Sequence, residues 1–470
     1  MIVDFDLIVI GGGPGGYVAA IRAAQLGQKV ALIEREELGG VCMNWGCIPT
    51  KFLLHQTGLL HQIEKNKYLV SSSTNQGLKL DWTKLKQGRQ KIVQQLVKGV
   101  EFLLNRNSIE IIKGEAHLTS EGRVKITQKE GPSRLLKAKN ILLATGSRPA
   151  QLPFLIPDGQ KIITSRQLLD IDKIPEKLVV IGAGAIGLEM GTIFSRLGAK
   201  VVVIELLPSI LPGAEESLTR RLSRILSRQG LDILTQMKVE KASLNGQNVV
   251  LEGYCSRTNK SFKEEGEKVL LAIGRKPNTE VLGEAVPKFK LINGGFLQVN
   301  QYFQTTLPQV WAIGDLIGGK LLAHKASHQG IVAVENMAGK KQTFDENLVP
   351  LAVFTEPELA SVGLTEKEVV EKGISYSLGQ FPLRANGRAV TMDEVDGQVR
   401  ILVDKEGCLL GAHLLAPHAS EMITELVLAM KERVKVTEIG ESVHIHPTLA
   451  ESIMEAALNA AGRAIHTINK

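Results

Sequence analysis

The sequence predicts an α/β protein: two dinucleotide-binding units of the Rossmann type, followed by a C-terminal unit of mixed extended and helical stretches. Three observations predict it. A short apolar run, a Gly-x-Gly-x-x-Gly turn, a helical stretch and a second apolar run ending in an acid stand at the start of the chain. The same plan recurs with its first glycine at Gly182. A strand-like segment ending at a glycine then closes each copy, at Gly146 and at Gly274.

In the first copy, residues 6–10 read as a short buried parallel strand. Gly11 permits the tight turn, Gly13 lets backbone approach a pyrophosphate, and Gly16 lets the following helix pack on the strand. That helix reads as residues 17–26, ended by Gly27, and its N-terminus favours negative charge. A second strand, residues 29–33, ends at Glu34, whose carboxylate suits ribose hydroxyls. In the second copy the strand is 177–181, the glycines are Gly182, Gly184 and Gly187, the helix runs to Leu197, and the strand 200–204 ends at Glu205. Each acid follows its first glycine by 23 positions. Two equal units argue for two dinucleotides rather than for glycine turns in ordinary α/β packing.

The closing segments match as well: residues 141–149 (ILLATGSRP) resemble residues 269–277 (LLAIGRKP after Val269). The stretch from acid to closing glycine is 43 residues longer in the first copy. That excess holds Cys42 and Cys47 and two helical stretches, around residues 52–63 and 82–104. Two thiols in Cys42-Met43-Asn44-Trp45-Gly46-Cys47, beside a bound dinucleotide, suggest electron transfer between a disulfide and a cofactor. The other reading of a close Cys pair is half of a zinc site, which needs two more ligands that do not lie near; no metal is expected. Residues 310–315 read as a strand ending in Gly314-Asp315, with a helix from about Ala323. An acid there can hold polyol hydroxyls or cap a helix. His446 and Glu451 near the C-terminus form either a base with its orienting acid or a capping contact.

Bulk properties narrow the field. With 470 residues the chain exceeds one ordinary core, and two to four domains are expected. Apolar residues at 44% and charged residues at 22% fit a globular protein. Aromatic residues make up only 4%, which disfavours stacking surfaces for nucleic acid, and the net charge of +7 is spread without basic runs. Four cysteines are too few for a disulfide scaffold, and Cys255 and Cys408 read as filler thiols in strands. No apolar run has transmembrane length, and the first ten residues carry Asp4 and Asp6 without the features of a signal peptide. A cytoplasmic location is expected, with no membrane partner.

On these residues the chain resembles the flavin-dependent pyridine nucleotide–disulfide oxidoreductases. The glycine loops, the Cys-x4-Cys segment, Ala144-Thr145-Gly146, Gly314-Asp315 and the tail His446-Pro447-Thr448-Leu449-Ala450-Glu451 carry the resemblance over nearly the whole chain. It implies FAD in the first unit and NAD+ or NADH in the second, with a C-terminal α+β dimerisation domain. The implied division is 1–149 for FAD and the redox cysteines, 150–280 for NAD, 281–348 completing the FAD site, and 349–470 for dimerisation.

By the same resemblance Gly11, Gly13, Pro14, Gly16, Glu34, Gly40, Ala116, Ala144, Thr145, Gly146, Asp315 and Ala323 hold FAD, while Gly182, Gly184, Gly187, Glu205 and Gly274 hold NAD. Lys51 lies near the flavin ring and pairs with Glu189, which on position alone reads as a surface acid early in a helix. Cys42, the more exposed thiol, meets the substrate, and Cys47 faces the flavin. His446, oriented by Glu451, serves the cysteines of the other subunit in a homodimer. The implied substrate is a lipoyl dithiol carried by an acyltransferase or lipoyl protein of a 2-oxo acid dehydrogenase or glycine cleavage complex. Glu205 disfavours a 2′-phosphate, and the next basic residue is Arg220, so NAD is expected over NADP. Other flavin disulfide reductases of small thiols, and a flavoprotein with a structural role, are the competing readings. Val41, Trp45, the run Ser327-His328-Gln329, and Glu356 depart from the residues common in relatives.

Overall fold

A five-stranded parallel sheet forms the first unit, in the order Val310–Ala312, Ala138–Leu143, Phe5–Ile10, Val30–Glu34, Glu110–Lys113. The computed structural model describes residues 3–66, 68–69, 78–128 and 131–469. The strands are continuous Val/Ile/Leu runs because helices cover both faces, as parallel sheets require. A late strand, Val310–Ala312, completes this early sheet, so the chain returns to its first unit after building the second.

The second unit repeats the plan with Leu231–Leu234, Lys200–Ile204, Lys177–Ile181, Lys268–Leu271 and Ile162–Ile163, again all parallel. Each unit also carries a three-stranded antiparallel sheet between its second strand and its closing strand. One comprises Glu115–Leu118, Val124–Thr127 and Arg134–Leu136; the other comprises Met237–Asn245, Asn248–Cys255 and Ser261–Gly266. The two repeated closing segments meet each other: Ser147–Pro149 pairs antiparallel with Arg275–Pro277. The crossing from first unit to second and the crossing back thus form one ribbon.

The third unit is α+β. Its antiparallel sheet runs in the order Leu351–Val353, Glu358–Gly363, Leu409–Ala416, Gln398–Val403, Ser377–Pro382. Helices Ala419–Lys431 and Glu451–Ala460 bury apolar stripes against it, including Ile423, Leu426, Ile453 and Ala457.

Most ends shift by one to three residues, and three larger differences from the sequence reading stand out. The helix expected at 52–63 runs from Cys47 to Lys65, because Gly46 precedes it and Pro49 sits in its first turn, where a missing N–H is harmless. The strand expected to reach Asp315 ends at Ala312, and Gly314–Ile317 turns as a short 3-10 helix. Cys408 lies just before its strand in a single bridge to Lys435, its buried thiol meeting the Arg433 carbonyl, while Cys255 ends a strand as expected. Helix Cys47–Lys65 buries Leu53 and Leu54 in one core with Leu188 and Phe194 of the second unit and Val353 and Leu359 of the third. The helix that begins at a redox cysteine is therefore fixed by all three units.

Candidate active site

The two glycine loops repeat each other bond for bond. Gly11 N–H donates to Ile33 O at 2.8 Å, and Gly182 N–H to Ile204 O at 2.8 Å. Gly11 holds φ 107°, and a Cβ there would sit 2.3 Å from Ala144 O; Gly182 holds φ 104°, with 2.4 Å to Ala272 O. A Cβ on Gly16 would stand 1.8 Å from Gly11 O, and on Gly187 2.0 Å from Gly182 O. Only glycine admits these approaches. The acids repeat too. Glu34 accepts from Gly12 N at 2.6 Å and Glu36 N at 2.7 Å, while Glu205 accepts from Ala183 N at 2.7 Å and Leu207 N at 2.8 Å. Both carboxylates are held by backbone at the end of the second strand, with lone pairs left for ribose hydroxyls.

A cleft runs from the first loop to the cysteines. Gly11, Gly13, Pro14, Glu34, Gly40, Cys42, Cys47, Lys51, Ala144, Thr145, Gly146, Glu189, Asp315 and Ala323 all line it. Ala116 lies in an adjoining hollow with Gly11 and Glu34. Gly16 lies under the loop. The donor set fits a flavin dinucleotide. Pro14 opens helix Pro14–Gln25, whose first N–H groups carry partial positive charge. A side chain on Gly13 would meet nothing nearer than Gly40 Cα at 4.0 Å and would fill the cleft instead. Ala323 opens helix Ala323–Met337 on the opposite wall.

Cys42 and Cys47 are joined in a disulfide with Cα atoms 4.7 Å apart. Cys42 lies on helix Gly40–Trp45, and Cys47 is the first residue of the next helix. Both are half-buried, so Cys42 and Cys47 fall in the same exposure class and differ in placement. The helix start is where a Cys47 thiolate is favoured.

Lys51, one turn further, meets Glu189 with Nζ 2.7 Å from Oε2. Glu189 is buried, which corrects its reading as a surface acid: helix Ala185–Arg196 is packed on nearly all sides. Its Oε1 accepts from Phe354 N at 3.0 Å, and the Lys51 ammonium lies 4.3 Å from the Phe354 ring centre. One carboxylate thus ties together the first, second and third units.

Asp315 accepts from the Ser147 hydroxyl, and Arg275 Nε lies 3.8 Å from the same carboxylate while donating to Ser147 Oγ at 2.6 Å. Burial pulls the Arg275 guanidinium below its ordinary value, against the opposing pull of Asp315. Sequence reasoning missed Arg275 and Ser147; the signal was their place in the two repeated closing segments. It also missed Lys325, a fully buried lysine that donates to Gly318 O and faces Glu346 at 3.5 Å. Lys325 braces the turn between Asp315 and Ala323.

His446 and Glu451 meet as expected. His446 Nδ1 is 2.8 Å from Glu451 Oε1, and Thr448 N donates to Oε2 at 2.7 Å. Partial burial raises the Glu451 carboxyl, but the Thr448 N–H and the His446 ring outweigh it and hold it below its usual range. The His446 ring is 79% exposed, and Nε2 has no partner among the described residues. Neither residue lines the cleft that holds the cysteines. Val443 and Ile445, both strongly exposed and apolar, precede His446 in the chain, and Ile465 and Ile468 near the C-terminus are strongly exposed as well. No group of three or more potential metal ligands exists among the described residues, and no helix there is long and apolar enough to cross a membrane.

Comparison with known proteins agrees with this geometry. Residues 5–330 match the family described as pyridine nucleotide-disulphide oxidoreductase, and residues 349–457 match its dimerisation domain. The dihydrolipoyl dehydrogenase of Geobacillus stearothermophilus is 38% identical over 469 residues, covering 100% of this chain and 98% of that protein. Dihydrolipoyl dehydrogenase 3 of Pseudomonas aeruginosa is 40% identical over 467 residues, covering 99% of this chain and 100% of its own. Among solved structures, LpdA from Mycobacterium tuberculosis has a TM-score of 0.88 at 28% identity, over 96% of this chain and 98% of that one. The flavoprotein disulfide reductase RclA from Escherichia coli, solved as a Cu(II) complex, gives 0.85 at 26%, over 97% and 99%.

Proposed function

Because the chain belongs to the pyridine nucleotide-disulphide oxidoreductases, we propose that it works as a dihydrolipoyl dehydrogenase, oxidising a protein-bound dihydrolipoyl group with FAD and NAD+. The observation that carries this reading is the Cys42–Cys47 disulfide in the wall of the same cleft that begins at the first glycine loop and Glu34. Bound FAD supplies the two-electron exchange between that disulfide and the nicotinamide.

The chain's own residues do the rest. His446 Nε2 accepts the proton of one substrate thiol, with Glu451 fixing the ring through Nδ1 and stabilising the imidazolium. The thiolate attacks Cys42 Sγ; the Cys42–Cys47 bond breaks, and Cys47 leaves as a thiolate at its helix N-terminus. The second substrate thiol then attacks the substrate sulfur of the mixed disulfide; the bond to Cys42 breaks, the lipoyl ring closes, and the thiol's proton passes to the departing Cys42 sulfur. Two electrons now reside on the cysteine pair. Lys51, held by Glu189, places a positive charge beside the pair's cofactor-facing side. Glu205 selects a free ribose hydroxyl and hence NAD.

His446 and Glu451 lie outside the cleft, amid exposed apolar residues, on a dimerisation domain. In our reading the protein is a homodimer in which His446 of one subunit serves the cysteines of the other. The working division is 1–149, 150–280, 281–348 and 349–470, and the setting is cytoplasmic, with lipoyl carriers of 2-oxo acid dehydrogenase or glycine cleavage complexes as partners. Assay of the purified protein for NAD+-dependent oxidation of dihydrolipoamide, beside reduction of glutathione disulfide by NADPH, tests the proposal. Turnover of the first and not the second is expected; the reverse overturns it.

A further inference from the structure

Trp45 stands between the two redox cysteines and ends helix Gly40–Trp45. Its indole is stacked under the guanidinium of Arg166, whose centre lies 3.7 Å from the ring centroid. Arg166 belongs to the second unit. It sits on the short helix Ser165–Leu168, which follows strand Ile162–Ile163 of the second sheet. The same guanidinium pairs with Glu36 at 2.8 Å. Glu36 in turn donates its N–H to Glu34, the acid at the nucleotide end of the cleft.

These contacts trace a strap along the cleft. At one end is the Glu34–Glu37 segment; at the other is Trp45 with Cys42 and Cys47; Ser165, beside Arg166, lines the wall between them. Trp45 also lines a second groove on the other side, with Arg89, Gln94 and Lys98, so the indole is the partition between that groove and the cleft.

We propose that Trp45, Arg166 and Glu36 form a latch between the first and second units that retains FAD. The inference rests on the cofactor assignment above and adds to it a residue set that the glycine loops do not contain. Arg166 does not itself line the cleft; it clamps Glu36 and Trp45, which do, so a dinucleotide lying from Glu34 to the cysteines is held behind a wall that yields when the stack or the ion pair opens. Arg166 and Glu36 have side chains 50% and 41% exposed, so each contact is individually weak and the latch is able to open. Arg suits the task because its planar guanidinium stacks on the indole and pairs with a carboxylate at once, which Lys cannot do.

The test is the rate of FAD release from the purified holoprotein, followed as free-flavin fluorescence after dilution into mild denaturant. Wild type is compared with Trp45→Val, Arg166→Met and the double variant; Glu36→Gln, at a half-exposed position, is the second handle on the arginine if Trp45→Val fails to fold. Opening the latch should raise the release rate roughly three- to thirtyfold. The double variant should release no faster than the quicker single variant, because both remove the same connection. Release unchanged in Arg166→Met, or effects of Trp45→Val and Arg166→Met that multiply, overturns the latch while leaving the cofactor assignment standing. Wild-type protein that binds no FAD overturns both.

Discussion

Replacing Glu451 by Gln isolates the role of the carboxylate. Glu451 accepts two hydrogen bonds, from His446 Nδ1 at 2.8 Å and from Thr448 N at 2.7 Å. An amide of the same shape has one acceptor and one donor. If its oxygen keeps Thr448 N–H, its NH2 faces Nδ1 and drives the proton to Nε2, the atom that must accept the substrate's proton. If it turns over, two N–H groups face each other at Thr448. Either way a charge-assisted bond to the imidazolium is lost, a change of about 1.5–3 kcal/mol. The His446 ring is 79% exposed in the isolated subunit, so water screens part of this, and the wrong tautomer restores part. The net is about 2–3 kcal/mol, a fall in kcat/KM of roughly 30- to 150-fold. Because Glu451 is held below its usual carboxylate range, the effect should persist across neutral and mildly acidic pH. The assay is dihydrolipoamide oxidation with NAD+, set beside NADH-dependent reduction of an artificial acceptor, which needs no thiol deprotonation. A loss under threefold, or equal loss in both assays, would refute the assignment of His446 and Glu451.

Other perturbations have defined outcomes. Lys51→Met leaves the Glu189 carboxylate, 5% exposed, with only the Phe354 N–H; breaking a buried pair costs about 3–5 kcal/mol, reduced here to about 1–3 because Lys51 is 32% exposed. Thermal melts of FAD-saturated protein should show the loss, and Lys51→Met with Glu189→Leu should recover much of it; a single variant melting with wild type contradicts the pairing argument. Gly16→Ala drives a methyl to 1.8 Å from Gly11 O and should lower bound flavin, whereas Gly187→Ala, at 2.0 Å from Gly182 O, should leave the flavin spectrum and raise KM for NAD+ severalfold. Burial, aided by Lys65 and Arg196 and opposed by Glu356, holds His61 down to about 4. The unfolded chain therefore takes up the proton first, and stability falls as pH drops from about 6.5 toward 4. The half-exposed ring limits this to about 1 kcal/mol; denaturant titrations at pH 7 and 4.5 should show a smaller difference for His61→Gln than for wild type.

The parts that were legible in sequence are those whose causes are local. Strands 177–181 and 200–204 match the structure residue for residue, because buried parallel strands are unbroken apolar runs bounded by glycine turns. The two glycine loops are legible because close backbone approach admits one residue type. His446 and Glu451 are five positions apart and meet directly. Lys51 and Glu189 are 138 positions apart, and only resemblance to a family joined them. Nothing in the local pattern of Glu189 distinguishes a buried acid from an exposed one, since its burial is imposed by Phe354 and by helix Cys47–Lys65. The Ser147, Arg275 and Asp315 cluster went unjoined for the same reason: the closing segments are legible as a repeat, but their pairing with each other has no local signature.

The equal loops raise the question of why one unit should keep its dinucleotide and the other exchange it. The loops cannot decide it, since they repeat each other in backbone strain, close approach and acid bonding. What differs is enclosure. The first cleft is walled by its own loop, by the inserted cysteine segment, by residues 185–190 of the second unit and by Leu351 and Ala352 of the third. Several of those walls are tied to one another, by Lys51 with Glu189, by Arg166 with Glu36, and by Arg275 with Ser147. In the proposed reading a molecule filling that space is retained by contacts among separate units. In the second unit Leu206 and Leu207 beside Glu205 are 55% and 43% exposed. The 43 inserted residues, with the segments that fold back over them, thus give one of two similar nucleotide loops a deeper cleft walled by several units, with the disulfide built into its wall.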